Sequence, residues 1–202
     1  MTDLFPATLE TDRLELTAVE PVDSVVFEHY EAFVDDPDPE TVYEYVPLSP
    51  PATPADSRSF VDHVGSNRAE GRAITYALRP KAGEDGAGTL AGTTTLFAEW
   101  DRETASSSIL LRKPFWGRGY SGERAGALLD LAFDRLDLSH FEVSCVAGND
   151  RSKRAIETYV DAHGGRYDGR FRHAHAIDGE PVDLHRFSVS LTEYRSATGD
   201  AE

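Results

Sequence analysis

The sequence predicts an α/β chain, layered in the α+β manner, with a mixed central sheet of about six to seven strands flanked by about four helices. Three observations carry this. The apolar residues Ala125, Leu128, Leu129, Ala132, Phe133 and Leu136 recur at the spacing of one helical face. Short runs rich in Val, Ile, Thr, Tyr and Phe stand between Gly, Pro and Asp punctuation. Helical and strand patterns follow in the order strand, two helices, three strands, helix, strand, helix, two strands.

Taken in order, Leu9-Glu10-Thr11-Asp12-Arg13-Leu14-Glu15-Leu16 reads as the first strand, since apolar and polar residues alternate late in the run. Pro21 opens a helix to about Phe33, with Val25, Val26, Tyr30 and Phe33 on related faces. Residues 35–39 form a turn cluster, and the prolines between 47 and 54 make a loop. A helix over 56–68 carries the stripe Phe60, Val61 and Val64. Residues 73–79 and 90–97 are strands joined by the Gly-rich connection 83–88, and a third strand covers 106–111. The clearest helix starts after Gly119. A strand at 141–146, a helix at 150–163 stopped by Gly164-Gly165, and strands at 166–175 and 182–191 complete the chain. With no repeat or internal linker, one domain is expected over 9–191, with 192–202 a frayed tail.

A chain of 202 residues can bury a core without metal or disulfide support. The apolar runs are too short to span a membrane, and Met1-Thr2-Asp3-Leu4-Phe5-Pro6 lacks the features of a leader. The lone Cys145 forms no internal disulfide, so the chain reads as cytoplasmic. Asp plus Glu total 36 against 20 Lys plus Arg, a formal net charge of −16, and only Lys81, Lys113 and Lys153 are lysines. Such a field repels polyanions, which argues against nucleic-acid partners. Acid enrichment together with lysine depletion reads as a halophilic surface, although plain solubility accounts for the acids alone.

Between a strand and the strongest helix lies Arg112-Lys113-Pro114-Phe115-Trp116-Gly117-Arg118-Gly119-Tyr120-Ser121-Gly122-Glu123. A junction of this kind aims backbone N–H groups and the positive end of a helix dipole at one point. Gly117 and Gly119 let backbone approach an anion, as in an anion-binding nest, while Arg112, Arg118 and Ser121 add charge and a hydroxyl. A tight turn needing its glycines for geometry alone has the same residues. The segment lacks the Lys-Ser/Thr ending of an ATP-type P-loop and the spacing of a dinucleotide fingerprint. The run from Ile109 to Ser121 resembles the pyrophosphate-binding segment of the GNAT acetyltransferase superfamily, most closely the branch that acetylates ribosomal-protein N-termini. The resemblance implies coenzyme A contacts from Leu110, Leu111, Trp116, Gly117, Arg118, Gly119, Tyr120 and Ser121, where Ser121 replaces the usual Gly or Ala.

Downstream, Asn149 or Asp150 is a natural helix N-cap, and Ser152, Ile156 and Tyr159 share one helical face. Read alone, this is a capped helix with a core tyrosine. It also resembles the family pattern in which the Asn and the small residue meet the pantetheine and the Tyr acts as general acid, implying those roles for Asn149, Ser152 and Tyr159. The family's Lys-x-Gly-Phe after the tyrosine is replaced by Asp161-Ala162-His163-Gly164-Gly165. The resemblance spans roughly 9–191.

The implied reaction is acetyl transfer from acetyl-CoA, a cosubstrate, to a primary amine of a protein N-terminus or small molecule by direct attack, with no metal. A homodimer stays open. The base is the weak point: the related branch has a glutamate where this chain has Ser106, and Glu99 is the nearest alternative carboxylate, with a solvated acid the plainer reading. A water chain serves equally. His173, His175 and His185 can share a face but lack the accompanying ligands of a metal site. Cys145 reads as a core thiol, and Trp100 and Trp116 as either packing or the substrate mouth. Residues 43–59 and 165–181 are the expected acceptor loops. The rival readings are a non-catalytic coenzyme A-binding regulatory or scaffold protein, and a phosphate-ligand enzyme of another fold.

Overall fold

The computed structural model describes residues 4–199. Strands β1 (Thr8–Glu10) and β2 (Leu14–Ala18) lead into helices α1 (Asp23–Val34), α2 (Pro39–Tyr43) and α3 (Pro54–Ala69). Strands β3 (Ala73–Pro80), β4 (Gly92–Glu99) and β5 (Thr104–Leu111) form a meander, followed by helix α4 (Tyr120–Asp130), β6 (His140–Val146) and α5 (Asp150–Ala162). The hairpin β7 (Arg166–Ile177) and β8 (Glu180–Ser190) ends in helix α6 (Leu191–Thr198).

The eight strands make one sheet in the order β1-β2-β3-β4-β5-β6-β8-β7. Every neighbouring pair is antiparallel except β5 and β6. On one face Ile74, Tyr76 and Leu78 of β3 pack with Leu128 and Leu129 of α4, Val160 of α5 and Tyr194 of α6. On the other face Ala77 joins Val26 and Phe33 of α1, Val42 of α2 and Val61 and Val64 of α3. Helices on both faces explain why β3 is apolar without strict alternation.

The mixed sheet is as expected, with eight strands rather than six or seven and six α-helices rather than four among the described residues. The expected first strand is two. Thr11 turns the chain by donating its N–H to the Leu14 carbonyl at 2.9 Å and accepting the Leu14 N–H on Oγ1 at 3.0 Å. Helix α2 arises within the expected turn and acceptor-loop region, capped by Asp38 with Pro39 in its first turn. The tail is also corrected. Ser190 and Glu193 form a reciprocal capping box for α6, and the buried Tyr194 donates to Asp130 at 2.6 Å. The leader expectation over residues 1–3 and the tail expectation over 200–202 fall outside the described residues. Among the described residues no helix is long and apolar enough to cross a membrane.

Candidate active site

The one parallel pairing of the sheet creates the site. Strands β5 and β6 hold register only from Thr104↔His140 to Ser106↔Glu142. Beyond it β6 follows β8 through Val146↔Leu184, while β5 follows β4 through Leu111↔Gly92. A cleft of about 1160 Å³ opens where they separate, lined by residues 107–111 of β5, 143–146 of β6 and the N-terminal parts of α4 and α5. The β5 edge facing the cleft therefore offers backbone N–H and C=O groups to whatever lies along it. The geometry of β4 keeps that edge in place. Gly92 has φ +156°, and a Cβ there would stand 2.2 Å from the Leu110 carbonyl oxygen.

At the junction of β5 and α4, Gly117 and Gly119 both have positive φ, +76° and +81°. A Cβ on Gly117 would meet nothing within 4 Å, so this backbone borders open space. Gly119 precedes α4 as its N-cap residue and no side chain caps the helix; the Gly119 carbonyl accepts the Gly122 and Glu123 N–H groups at 3.1 and 3.2 Å. The turn is braced from outside. Glu123 accepts from Thr11 Oγ1 at 2.5 Å, from Arg13 N at 2.7 Å and from Arg13 Nε at 2.7 Å. Arg13 Nη1 in turn donates to the Arg118 carbonyl at 2.9 Å. Burial pushes the Glu123 carboxyl up, but the Thr11 and Arg13 hydrogen bonds outweigh it and hold the pKa below the usual glutamate value. Trp116 donates from Nε1 to the Leu111 carbonyl at 2.7 Å, and the Lys113 ammonium and the Arg151 guanidinium stand 4.4 Å and 3.9 Å from the centre of its ring.

Helix α5 forms the opposite wall. Asn149 Oδ1 caps it by accepting the Ser152 N–H at 3.0 Å. Two turns on, Tyr159 is 3% exposed, and its hydroxyl has no hydrogen-bond partner although the residue lines the cleft. Burial raises the Tyr159 pKa above the usual tyrosine value, and the nearby Arg124 charge works against that rise.

A family model for the acetyltransferase (GNAT) domain matches residues 13–159, most of the chain. The chain belongs to the GNAT acetyltransferase family. A similar curated protein is the N-acetyltransferase p20 of Bacillus licheniformis, 25% identical over 93% of this chain and 98% of its own. A similar solved structure is a GCN5-related N-acetyltransferase of Brucella melitensis, with TM-score 0.78, 23% identity, and coverage of 95% of this chain and 82% of its own. RimL, a ribosomal L7/L12 α-N-protein acetyltransferase, shares the fold at TM-score 0.74 and 17% identity, covering 91% of this chain and 93% of its own. The GNAT assignment makes this chain an acyltransferase of the acetyl-CoA-using kind.

In this GNAT domain Leu110, Leu111, Trp116, Gly117, Arg118, Gly119, Tyr120, Ser121, Asn149, Ser152 and Tyr159 all line the same cleft. Arg112, expected to add charge at the turn, does not line the cleft and donates to the Leu90 carbonyl at 2.9 Å. Arg118, the other expected cation, and Tyr120, an expected coenzyme A contact, are already engaged. Arg118 donates to the Asp85 carbonyl at 2.7 Å and to its carboxylate at 2.9 Å, and Tyr120 donates to Glu84 at 2.9 Å. Glu99 is not brought to the cleft. It ends β4, exposed, and accepts from Arg102 at 2.8 Å, which also holds Glu142 at 2.7 Å. The acids that do line the cleft are Glu44 and Asp150. Trp100 lies away from the cleft lining and donates to the Gly71 carbonyl at 2.8 Å, whereas Trp116 lines it.

The three histidines divide. His175 lines the cleft, His185 Nδ1 meets the Tyr167 hydroxyl at 2.8 Å, and His173 bonds Asp183 through its backbone N–H at 2.9 Å. Cys145 lines the cleft but is buried, and burial pushes its thiol up to about 11, away from nucleophilic use. The residue that sequence reasoning missed is Arg124. It is 1% exposed and lines the cleft beside Tyr159. Its signal was present: a cation on the same helical face as Leu128 and Leu131, in the middle of an apolar stripe.

Proposed function

We propose that this protein transfers acetyl from acetyl-CoA to a primary amine, on a protein N-terminus or a small molecule, by direct attack. The observation that carries the reading is the placement of Tyr159. Its hydroxyl, which makes no hydrogen bond of ordinary length, belongs to a cleft that the first turn of α4 also lines, and no side chain caps that helix. A long ligand with an anionic end and a thioester fits such a cleft: anion at the turn, thioester at the strand split.

In this reading the backbone of Gly117, Arg118, Gly119, Tyr120 and Ser121 receives the pyrophosphate at the helix N-terminus. Leu110 and Leu111 offer strand-edge groups to the pantetheine, opposite Asn149 and Ser152, and Trp116 walls the cleft above them. A backbone N–H of the β5 edge stabilises the oxyanion that forms as the amine attacks. The C–N bond forms, the C–S bond breaks with its electron pair on sulfur, and the Tyr159 phenol supplies a proton to that sulfur. The amine must arrive neutral. An α-amino group, with a pKa of about 8, is largely ready near neutrality, whereas a lysine at about 10.4 is not. The proton shed by nitrogen passes to water or to a lining acid, Glu44 or Asp150. Both of these line the cleft, which Glu99 does not.

An acceptor screen with acetyl-CoA, read by release of free thiol, tests the proposal. Amine-dependent thiol release is expected. Tight acetyl-CoA binding with no release across α-amino, small-amine and lysine acceptors would contradict it.

A further inference from the structure

Arg124 stands out among the buried groups. It lies on α4, with Nη1 donating to Ser107 Oγ at 3.0 Å and its guanidinium carbon 5.7 Å from the centre of the Tyr159 ring. Its Nε has no hydrogen-bond partner, and no carboxylate pairs with it among the described residues. Burying a cation this way is costly, because the charge leaves water without a counter-ion. Burial accordingly pulls the guanidinium below the ordinary arginine range, while Tyr159 works in the opposite sense. An arginine nonetheless stays protonated. Arg124 Nε and the Tyr159 hydroxyl make no hydrogen bond of ordinary length, yet the two side chains are close enough to interact, and both are buried and line one cleft beside Ser107. Ser107 is the first β5 residue beyond the last pairing with β6, so both donors sit where the strands begin to part.

We propose that Arg124 and Tyr159 together form the thiolate-receiving site of the transfer reaction, with Arg124 supplying the positive charge. The inference rests on the acetyl-transfer reading above and adds to it the group that makes the sulfur a good leaving group. When the C–S bond breaks, its electron pair resides on sulfur, and the uncompensated guanidinium acquires its missing counter-charge. The Tyr159 phenol passes its proton to sulfur as solvent returns one to the phenolic oxygen, so that free thiol and neutral tyrosine result and no buried tyrosinate is left. Charge pairing exists only after bond breaking, so Arg124 favours the transition state over the bound thioester. This also accounts for a buried cation with no carboxylate counter-ion among the described residues: its counter-charge appears during turnover.

The test is the ionisation of bound coenzyme A thiol, followed by thiolate absorbance against pH, in the wild type, Arg124→Met, Arg124→Lys and Tyr159→Phe. A free thiol ionises at about 8.5. In the wild type the bound thiol should ionise about one pH unit lower. Arg124→Met should abolish that depression, lower kcat by about ten- to a hundredfold, and leave acetyl-CoA affinity nearly unchanged. Its melting temperature should hold or rise, since the change removes an unpaired buried charge. Arg124→Lys keeps the charge and should retain part of the depression; it carries the same titration if the methionine variant does not fold.

An unshifted thiol in the wild type, or a shift that survives Arg124→Met, overturns the proposal. So does an Arg124→Met protein that loses succinyl-CoA turnover while keeping acetyl-CoA turnover, because Arg124 would then be a ligand for an acyl carboxylate. If Tyr159→Phe slows transfer and Arg124→Met does not, this inference alone falls. If acetyl-CoA fails to bind, the acetyl-transfer reading falls with it.

Discussion

Glu123 holds Arg13 across 110 positions of sequence, accepting its backbone N–H and its guanidinium Nε at 2.7 Å each. The pair joins the β1–β2 turn to the first turn of α4, and Arg13 passes the constraint on to the Arg118 carbonyl. The turn at Gly117-Arg118-Gly119 is therefore shaped by a contact that no local pattern encodes.

Glu123→Gln should cost about 1–3 kcal/mol, the scale of hydrogen bonds to a charged group that is partly buried. The folded pKa of Glu123 lies below its ordinary value. Its contribution is thus fully present above the unfolded glutamate pKa and is lost as pH falls through the lowered folded value. Thermal melts of the two proteins should accordingly differ near neutrality and converge in acid. A gap that stays constant down to strongly acidic pH would show that the carboxylate's charge is not involved.

Gly117→Asp should weaken acetyl-CoA binding at least tenfold while the protein stays folded. The residue has φ +76°, where an L side chain costs about 1–2 kcal/mol, yet no atom obstructs its Cβ. The added carboxylate would face the site proposed for pyrophosphate. Calorimetric binding at wild-type affinity would remove that turn from the ligand site.

Gly92→Ala should damage both stability and acetyl-CoA binding. The new methyl would press 2.2 Å from the Leu110 carbonyl and 2.9 Å from the Leu111 Cα, both backbone, so β4 and β5 must part where β5 borders the cleft. A melting temperature lowered by several degrees is expected, about 1–3 kcal/mol in a chain of this size. An unaltered melt would mean that the strands yield there without cost.

Salt should stabilise the protein. Its arginines make exposed ion pairs, such as Arg102–Glu99 and Arg170–Asp183, which screening weakens only slightly because each contributes little. The net charge of −16 repels itself, and that repulsion is screened too. Melting temperature should rise with KCl and continue to rise toward molar concentrations if the surface is halophilic. A flat or falling curve would remove that reading.

The fold was legible where pattern is local. The α4 stripe marked the helix, and the Gly117-Arg118-Gly119 turn and the face shared by Ser152 and Tyr159 marked two segments that line one cleft. Helix α6 had a readable signal, the Ser190–Glu193 capping box, and α2 had another in Asp38-Pro39, but both lie in stretches short enough to pass for turn or tail. The split of the first strand was not readable, because Thr11 turns there with help from Glu123 far along the chain. Nor was the fate of Glu99, which depends on Arg102 reaching it and Glu142 together. Arg124 was visible as an anomaly in an apolar stripe, but its pairing with Ser107 and Tyr159 rather than a carboxylate is a property of the packed interior.

The central claim is that acetyl transfer occurs at Tyr159. The most direct measurement is steady-state kcat of Tyr159→Phe on an amine found by the screen, beside direct binding of acetyl-CoA. The ring and its packing are kept, and the hydroxyl has no partner to lose, so stability should barely change. We expect kcat to fall by about 10²–10⁴, the range of general acid catalysis, with acetyl-CoA affinity nearly constant. An unchanged kcat would contradict the account, leaving Tyr159 a core residue and the sulfur to depart unaided.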